Sequence, residues 1–380
     1  MTCETGALPG TPAADGWWMP AEFEPHAGCW MLWPERPDNW REGARPAQAA
    51  FLAVAEAIGR FEKVSVGVSA GHRETARAML PSHVDVLTLP HDDCWMRDVG
   101  PTYVVSERPG LRGVHWRFNA WGGLEEGLYH PWDRDERVGA EVLACERRER
   151  YRAPIVLEGG AVHVDGEGTA LLVKQCVLNP NRNPGMTGER MEMLLREYLG
   201  VSCFIWLDRG VFNDETDGHI DNLACFVAPG KVCLTWTDDA ADPQHAVSCA
   251  AWERLTEARD ARGRRLEVTK LPMPGPLHMT EQEARGLAPA ESCKPRRAGD
   301  RMAGSYVNFY FANGGLVMPL LDPRTDALAA DRLKRLCPGR HVVGVPAREI
   351  LLGGGGIHCI TQQVPDPLAK RVNPKHPAKA

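Results

Sequence analysis

VHVDGEG at 162–168, TALLVKQC at 169–176, GERMEMLLREYLG at 188–200 and VSCFIWL at 201–207 read in succession as two short β runs, a helix and a further β run. In the helix, Met191, Leu194, Leu195 and Tyr198 recur at helical spacing and so share one face, and Gly200 stands where a C-cap belongs. The order returns in NLACFVAPGKVCLTWT (222–237), a helix near 245–259 and RLEVTKL (265–271), with Pro229 and Gly230 as the hairpin turn. It returns again in SYVNFYFANGGLVMPL (305–320), a helix from about 324 to 336 and HVVGV (341–345). A less regular copy runs PTYVV (101–105), GVHWRF (113–118), a helix near 134–146 and APIVLE (153–158). A fifth needs both ends of the chain: CITQQV (359–364) beside AGCWMLWP (27–34), the helix AQAAFLAVAEAIGRF (47–61) and KVSVGV (63–68).

This periodicity predicts an α/β protein of five ββαβ units in a ring. Residues 1–380 would form a single catalytic domain, closed where the C-terminal strand 357–364 meets the N-terminal unit. A doubly wound open sheet fits less well, because each unit carries an antiparallel hairpin. Segments 71–90 and 272–300 read as insertions over one face, where lids lie.

At 43% hydrophobic and 25% charged residues, the chain has ample material for a core and is neither disordered nor fibrous. Its net charge of −6 argues against a nucleic-acid or membrane-surface partner and is compatible with a small cationic molecule. The start, MTCETGALPG, lacks the cationic and apolar regions of a secretion signal, and no later stretch approaches a membrane span, so a cytoplasmic location is expected. The 12 cysteines, Cys3 among them, show no CxxC pair and read as reduced thiols. Self-association into a homo-oligomer is left open by the sequence.

The chemistry concentrates at one phase of the repeat. The glycine run 353–356 leads to Cys359 at the opening of the closing strand. Glycines lack a β-carbon, so the run can take positive φ and pass close to a bound molecule, with Gly356 its last member. Asp98 in DDCWMRDVGP, Glu158 in VLEGG, and His219 with Asp221 in DETDGHIDN each precede the hairpin of a unit. Asp98 and Glu158 are 60 residues apart, Glu158 and His219 61, so equivalent positions carry them, and in a ring those positions converge on the axis. Converging carboxylates are costly to bury unless a delocalised cation lies among them, which points to a guanidinium or amidinium ligand. His219 and Asp221, two apart, with the distant Cys359 would make a workable metal site, but no second histidine lies close to the His219–Asp221 pair and there is no CxxC, and no metal is expected. The order His then Cys, without a papain-type signature, disfavours a cysteine protease.

WMRD, FNAWGG, LEGG, NPNRNP, DETDGHIDN, AGSYVNFY and LLGGGGIHC resemble the agmatine deiminase family of guanidine-modifying enzymes, and the likeness runs from MPAEFEPH (19–26) through ITQQVP (360–365). The resemblance implies a five-bladed α/β propeller (pentein) fold, hydrolysis of agmatine to N-carbamoylputrescine and ammonia in putrescine biosynthesis, and no cofactor. It implies Cys359 as nucleophile, His219 as acid and base, Asp98 and Asp221 as guanidinium clamps and Glu158 as a further carboxylate. For the substrate's ammonium tail, Glu215 and the face of Trp95 are the candidates, through charge and cation-π contact. Arg97, beside the clamp, either pairs with an acidic neighbour or reaches a carboxylate. A deiminase or amidinotransferase for another guanidine and a non-catalytic polyamine-binding protein are the rival readings.

Overall fold

A computed structural model describes residues 6–369. Cys3 and residues 370–380 lie outside the described residues.

The segment that opened the sequence reading shows why each unit forms. In the helix Gly188–Leu199 the Thr187 side chain caps the start by accepting from the Arg190 amide, and Gly200, at φ 69°, ends it in the left-handed conformation that costs glycine least. Met191, Leu194, Leu195, Tyr198 and Leu199 are buried on one face. That face packs on the strands Thr169–Val173 and Cys203–Leu207, sharing one apolar cluster with Leu171, Val173 and Ile205. A fully buried leucine such as Leu195 contributes about 2 kcal/mol by leaving water. Thr169–Val173 pairs antiparallel with Val162–Val164 and parallel with Cys203–Leu207, so a hairpin is followed by a helical crossover.

The same pairing recurs in Thr102–Val104, Arg112–Arg117 and Arg150–Val156. It recurs in Ala224–Ala228, Lys231–Trp236 and Glu267–Pro272, and in Tyr310–Ala312, Gly315–Leu320 and His341–Pro346. Thr361–Pro365 pairs antiparallel with His26–Leu32, which pairs parallel with Val64–Val68. The crossover helices are Asp135–Cys145, Pro243–Glu257, Asp326–Leu336 and Arg45–Gly59. The protein is thus a mixed α/β fold of several small sheets. No described helix is long and apolar enough to cross a membrane.

Two expectations change. Segment 71–90 is not an insertion over one face. It holds the helix Arg73–Met79 and the strand Asp85–Thr88, which extends the Val64–Val68 sheet as a parallel edge. Both ends of that strand are exposed, so it lacks the apolar alternation by which a half-buried strand is recognised. TALLVKQC is a strand only to Val173; Lys174–Val177 turns into a short helix that carries Cys176 inward, fully buried.

Candidate functional site

Four of the predicted residues lie at a short helical turn immediately before the first strand of a unit. Asp98 is in Met96–Val99, Glu158 caps Gly159–Ala161, and His219 caps Ile220–Leu223, which contains Asp221. Cys359 occupies the corresponding place before Thr361–Pro365. All five are at most 6% exposed.

Gly160 lies where they meet. A β-carbon there would come within 2.5 Å of His219 Nδ1, 2.9 Å of Asp221 Oδ2 and 3.0 Å of Asp98 Oδ1, so only glycine fits. Its amide donates to Asp98 Oδ1 at 2.9 Å, and the Trp121 indole donates to Oδ2 at 3.0 Å. Trp121 is aimed there by a turn in which Ala120 and Trp121 hold positive φ, 52° and 63°, an uncommon conformation for non-glycine residues. The Cys359 thiol lies 3.5 Å from Asp221 Oδ2. Among the described residues, Asp221 Oδ1 and His219 Nε2 are buried without a hydrogen-bond partner.

Burial, with Asp221 and Glu158 nearby, outweighs the attraction of His219 and raises the Asp98 carboxyl to about 6. Burial also pushes the Cys359 thiol far up, helped by the charges of Asp221 and Asp98. Burial alone would lower His219, but Asp98, Cys176 and Glu158 hold its imidazolium well above the usual range. Asp221 goes down despite burial, because His358 donates to it.

Sequence reasoning missed several neighbours. Arg182, within the quoted NPNRNP, is buried against Glu158 at 2.8 Å and holds that carboxyl down against burial. Asn308, within AGSYVNFY, occupies the matching place before the remaining hairpin. Its Nδ2 donates to Cys359 Sγ at 3.2 Å and its Oδ1 accepts from the His358 amide at 2.9 Å. The phase rule applied to that unit would have found it. Cys176 lies beside His219, and Glu158, Cys176 and His219 bring ligand-type atoms within 4.8 Å of one another. The Arg182 guanidinium already fixed on Glu158 opposes a divalent cation there.

The glycine run has a different rationale from the one expected. Only Gly354 has positive φ, 110°. The others are required by contact: added β-carbons would meet Trp40 at 2.2 Å from Gly353, Trp95 at 2.5 Å from Gly355 and Asn308 at 2.3 Å from Gly356. Trp95 is therefore packed on the run, with its indole donating to Asp93 at 2.9 Å. Glu215 stands at Gly354, where Arg296 engages both its oxygens. Arg296 belongs to the 272–300 segment, which borders a cavity of about 310 Å³ together with Asp214, Glu215 and Gly354. Arg97 takes the first of its two alternatives, pairing with Glu22 at 3.2 Å and Gln363 at 2.7 Å.

The chain matches the Porphyromonas-type peptidyl-arginine deiminase family over residues 18–365, and it belongs to that family. Within it, the chain is 55% identical over 359 residues to the agmatine deiminase of Pseudomonas aeruginosa, covering 94% of this chain and 98% of that one. The solved agmatine deiminase of Enterococcus faecalis superposes with a TM-score of 0.93 at 41% identity, covering 96% of this chain and all of the other. A C. jejuni agmatine deiminase at 24% identity shares the fold, with a TM-score of 0.76.

Proposed function

We infer that the chain is an agmatine deiminase, hydrolysing agmatine to N-carbamoylputrescine and ammonia for putrescine formation. The observation that carries this is the pair of buried, unpartnered atoms, Asp221 Oδ1 and His219 Nε2, beside a thiol and the Asp98 carboxylate. A planar cation bearing several N–H groups satisfies the carboxylate acceptors, Asp221 Oδ1 among them, and leaves the Nε2–H of the charged His219 free to give its proton. The 55% identity to an agmatine deiminase selects which guanidine.

In this reading Asp98 and Asp221 grip the guanidinium and hold its central carbon against Cys359. In the free site the thiol keeps its proton and His219 is charged. Bound guanidinium offsets the two carboxylates that oppose thiolate formation, so ionisation follows substrate. The thiolate adds to the guanidinium carbon. His219 then gives a proton to one amino nitrogen as its C–N bond breaks, releasing ammonia and leaving an S-alkylthiouronium on Cys359. Neutral His219 next takes a proton from water, which attacks the same carbon; as the C–S bond breaks, the hydroxyl of the adduct becomes the ureido carbonyl, its proton passes to solvent and the thiolate returns. Glu158, tied to Arg182, stabilises the charged His219.

The finer architecture belongs to the same proposal: five ββαβ units as blades of one catalytic domain, a pentein propeller closed by Thr361–Pro365 on His26–Leu32. The shared position of Asp98, Glu158, His219, Asn308 and Cys359 supports it. A net charge of −6 suits a small cationic substrate better than nucleic acid. The 11 described cysteines are unpaired, which suits a cytoplasmic enzyme.

For the tail we assign Trp95, Gly356 and Glu215. Arg296 on Glu215 gives a specific reason to weigh free arginine as a second substrate, because its guanidinium, set against Gly354 in the run that leads to Cys359, could meet a carboxylate. Ammonia release from agmatine, arginine and a peptidyl arginine separates the readings. Agmatine is expected to lead arginine by at least about a hundredfold in kcat/KM, and Cys359→Ser is expected to abolish release. Comparable rates on arginine would overturn the substrate assignment, and activity in Cys359→Ser within tenfold of the native enzyme the covalent mechanism.

A further inference from the structure

Behind Asp221 lies a buried ion network that the proposed chemistry does not itself use. His358 is 3% exposed and both its ring nitrogens face carboxylates. Nδ1 is 2.8 Å from Asp221 Oδ2, and Nε2 is 2.8 and 2.9 Å from the two oxygens of Glu22. An ionised carboxylate only accepts, so both bonds exist together only when both nitrogens carry hydrogen, which makes the ring an imidazolium.

Glu22, also 3% exposed, is held from other sides as well. Arg97 Nη1 lies 3.2 Å from it, and His163 Nε2 3.5 Å. The Phe226 amide donates to His163 Nδ1, so His163 carries its proton on Nε2 and donates towards Glu22 as a neutral ring. Arg97 Nε also points at the His358 carbonyl, 3.4 Å away. The groups facing His358 are therefore Asp221, Glu22 and Arg97, with the His163 ring centroid 6.4 Å from its own. The two anions outweigh the burial and the guanidinium, so His358 is shifted up; at Glu22 the Arg97 and His358 cations, with the bond from His163, outweigh burial and hold the carboxyl far down.

We propose that His358, anchored on Glu22, is a positioning residue for the deimination: it fixes Asp221 Oδ2 so that Oδ1 stays turned to the substrate guanidinium. This rests on the deiminase reading given above. The chain makes the arrangement economical, since His358 adjoins Cys359 and Arg97 adjoins Asp98, so one network orients the thiol's element and the clamp's element. It also places a fixed positive charge behind Asp221, the carboxylate nearest the thiol. A carboxylate with one oxygen pinned cannot rotate to chelate or to accept from the thiol with both oxygens.

Two amide substitutions separate the halves of His358. In His358→Asn the side-chain nitrogen falls near the place of Nδ1 and can still donate to Asp221, whereas in His358→Gln it reaches the place of Nε2 and serves Glu22. His358→Gln is expected to lower kcat on agmatine about a hundredfold with KM changed less than threefold. His358→Asn should lose about tenfold, and its acid limb of kcat/KM, set by Asp98 in the native protein, should steepen and move upward, because Asp221 has lost a neighbouring positive charge and its raised carboxyl joins Asp98 in setting the limb. Glu22→Gln reads the link from the far side and keeps the proposal testable should a His358 variant not fold. It should lose about tenfold in kcat, and adding it to His358→Asn should cost nothing more.

Alkylation of Cys359, followed by intact mass across pH, gives a readout independent of substrate. The thiol should react at higher pH in His358→Asn than in the native protein, since the network's positive charge is gone. Failure of the native protein to release ammonia from agmatine, with this thiol shift present between native and His358→Asn, would sink the substrate reading and keep the network. Equal losses in His358→Asn and His358→Gln, additive losses with Glu22→Gln, or an unmoved thiol and acid limb would overturn the positioning role.

Discussion

Asp98 is ionised at a cost, and its two functions pull in opposite directions with pH. Its carboxyl, raised to about 6, must be charged to hold a guanidinium, so kcat/KM for agmatine is expected to fall with unit slope as pH drops through about 6. A steady-state profile checks this; an acid limb below pH 5 would remove Asp98 as its source. Stability runs the other way. The folded state binds this proton more tightly than the unfolded chain, whose ordinary value is 3.8, so the residue's contribution rises as pH falls from about 6 towards 4. The difference is on the order of 3 kcal/mol, stability that the site gives up at neutral pH. At this scale the sequence was informative where one phase repeated, as in Asp98, Glu158, His219 and Cys359, because spacing reveals equivalence. It was silent on Glu22 and His358 as partners: 336 residues separate them, and no local pattern signals a contact made only by folding. Arg182 lay within a quoted motif with nothing to say that it faced inward, whereas Asn308 stood at the repeating phase of its unit, where a neutral amide gave no charge to mark it.

Among the elements, the turns before the hairpins do more for the site than the strands and helices that carry them. Gly160 is the sharpest case, since a methyl group there would displace His219, Asp221 and Asp98 together. Gly160→Ala is expected to keep a cooperative fold and to lose at least about a hundredfold in kcat/KM, because shifts well under 1 Å at reacting groups carry such penalties. Kinetics beside thermal melting checks it, and activity within threefold of native would show that the turn gives way. Helices were legible from their apolar face and caps, as in Gly188–Leu199, where Thr187 and Gly200 mark both ends. Asp85–Thr88 was not, because an exposed edge strand needs no apolar alternation. The run at 353–356 was legible as a place of special backbone, yet its cause proved to be indole rings and an amide pressed against it rather than φ.

For the whole molecule, the pairing of Thr361–Pro365 with His26–Leu32 joins distant ends of the chain in one sheet. The strand also supplies Gln363 to Arg97 and follows directly on Cys359. A stop codon after Ile360 is expected to abolish both activity and the cooperative unfolding transition; a truncated protein with a native melting curve would show that this strand is dispensable for folding. The recurring strand pairing was visible in the sequence because each hairpin and crossover is local and read from one window. The partner of the first unit was inferred only because a strand was left over at each end.

That same pairing sets a schedule for biosynthesis. His26–Leu32 leaves the ribosome early and waits for Thr361–Pro365, more than 300 residues later, which at about 5–20 residues per second is on the order of half a minute. Throughout that interval one edge of an otherwise buried, apolar strand has no partner from its own chain and is open to pairing with another. The nucleophile arrives with the strand that ends the wait. A nascent chain can therefore neither finish folding nor begin catalysis until Thr361–Pro365 has been made, and chaperone demand should track elongation rate.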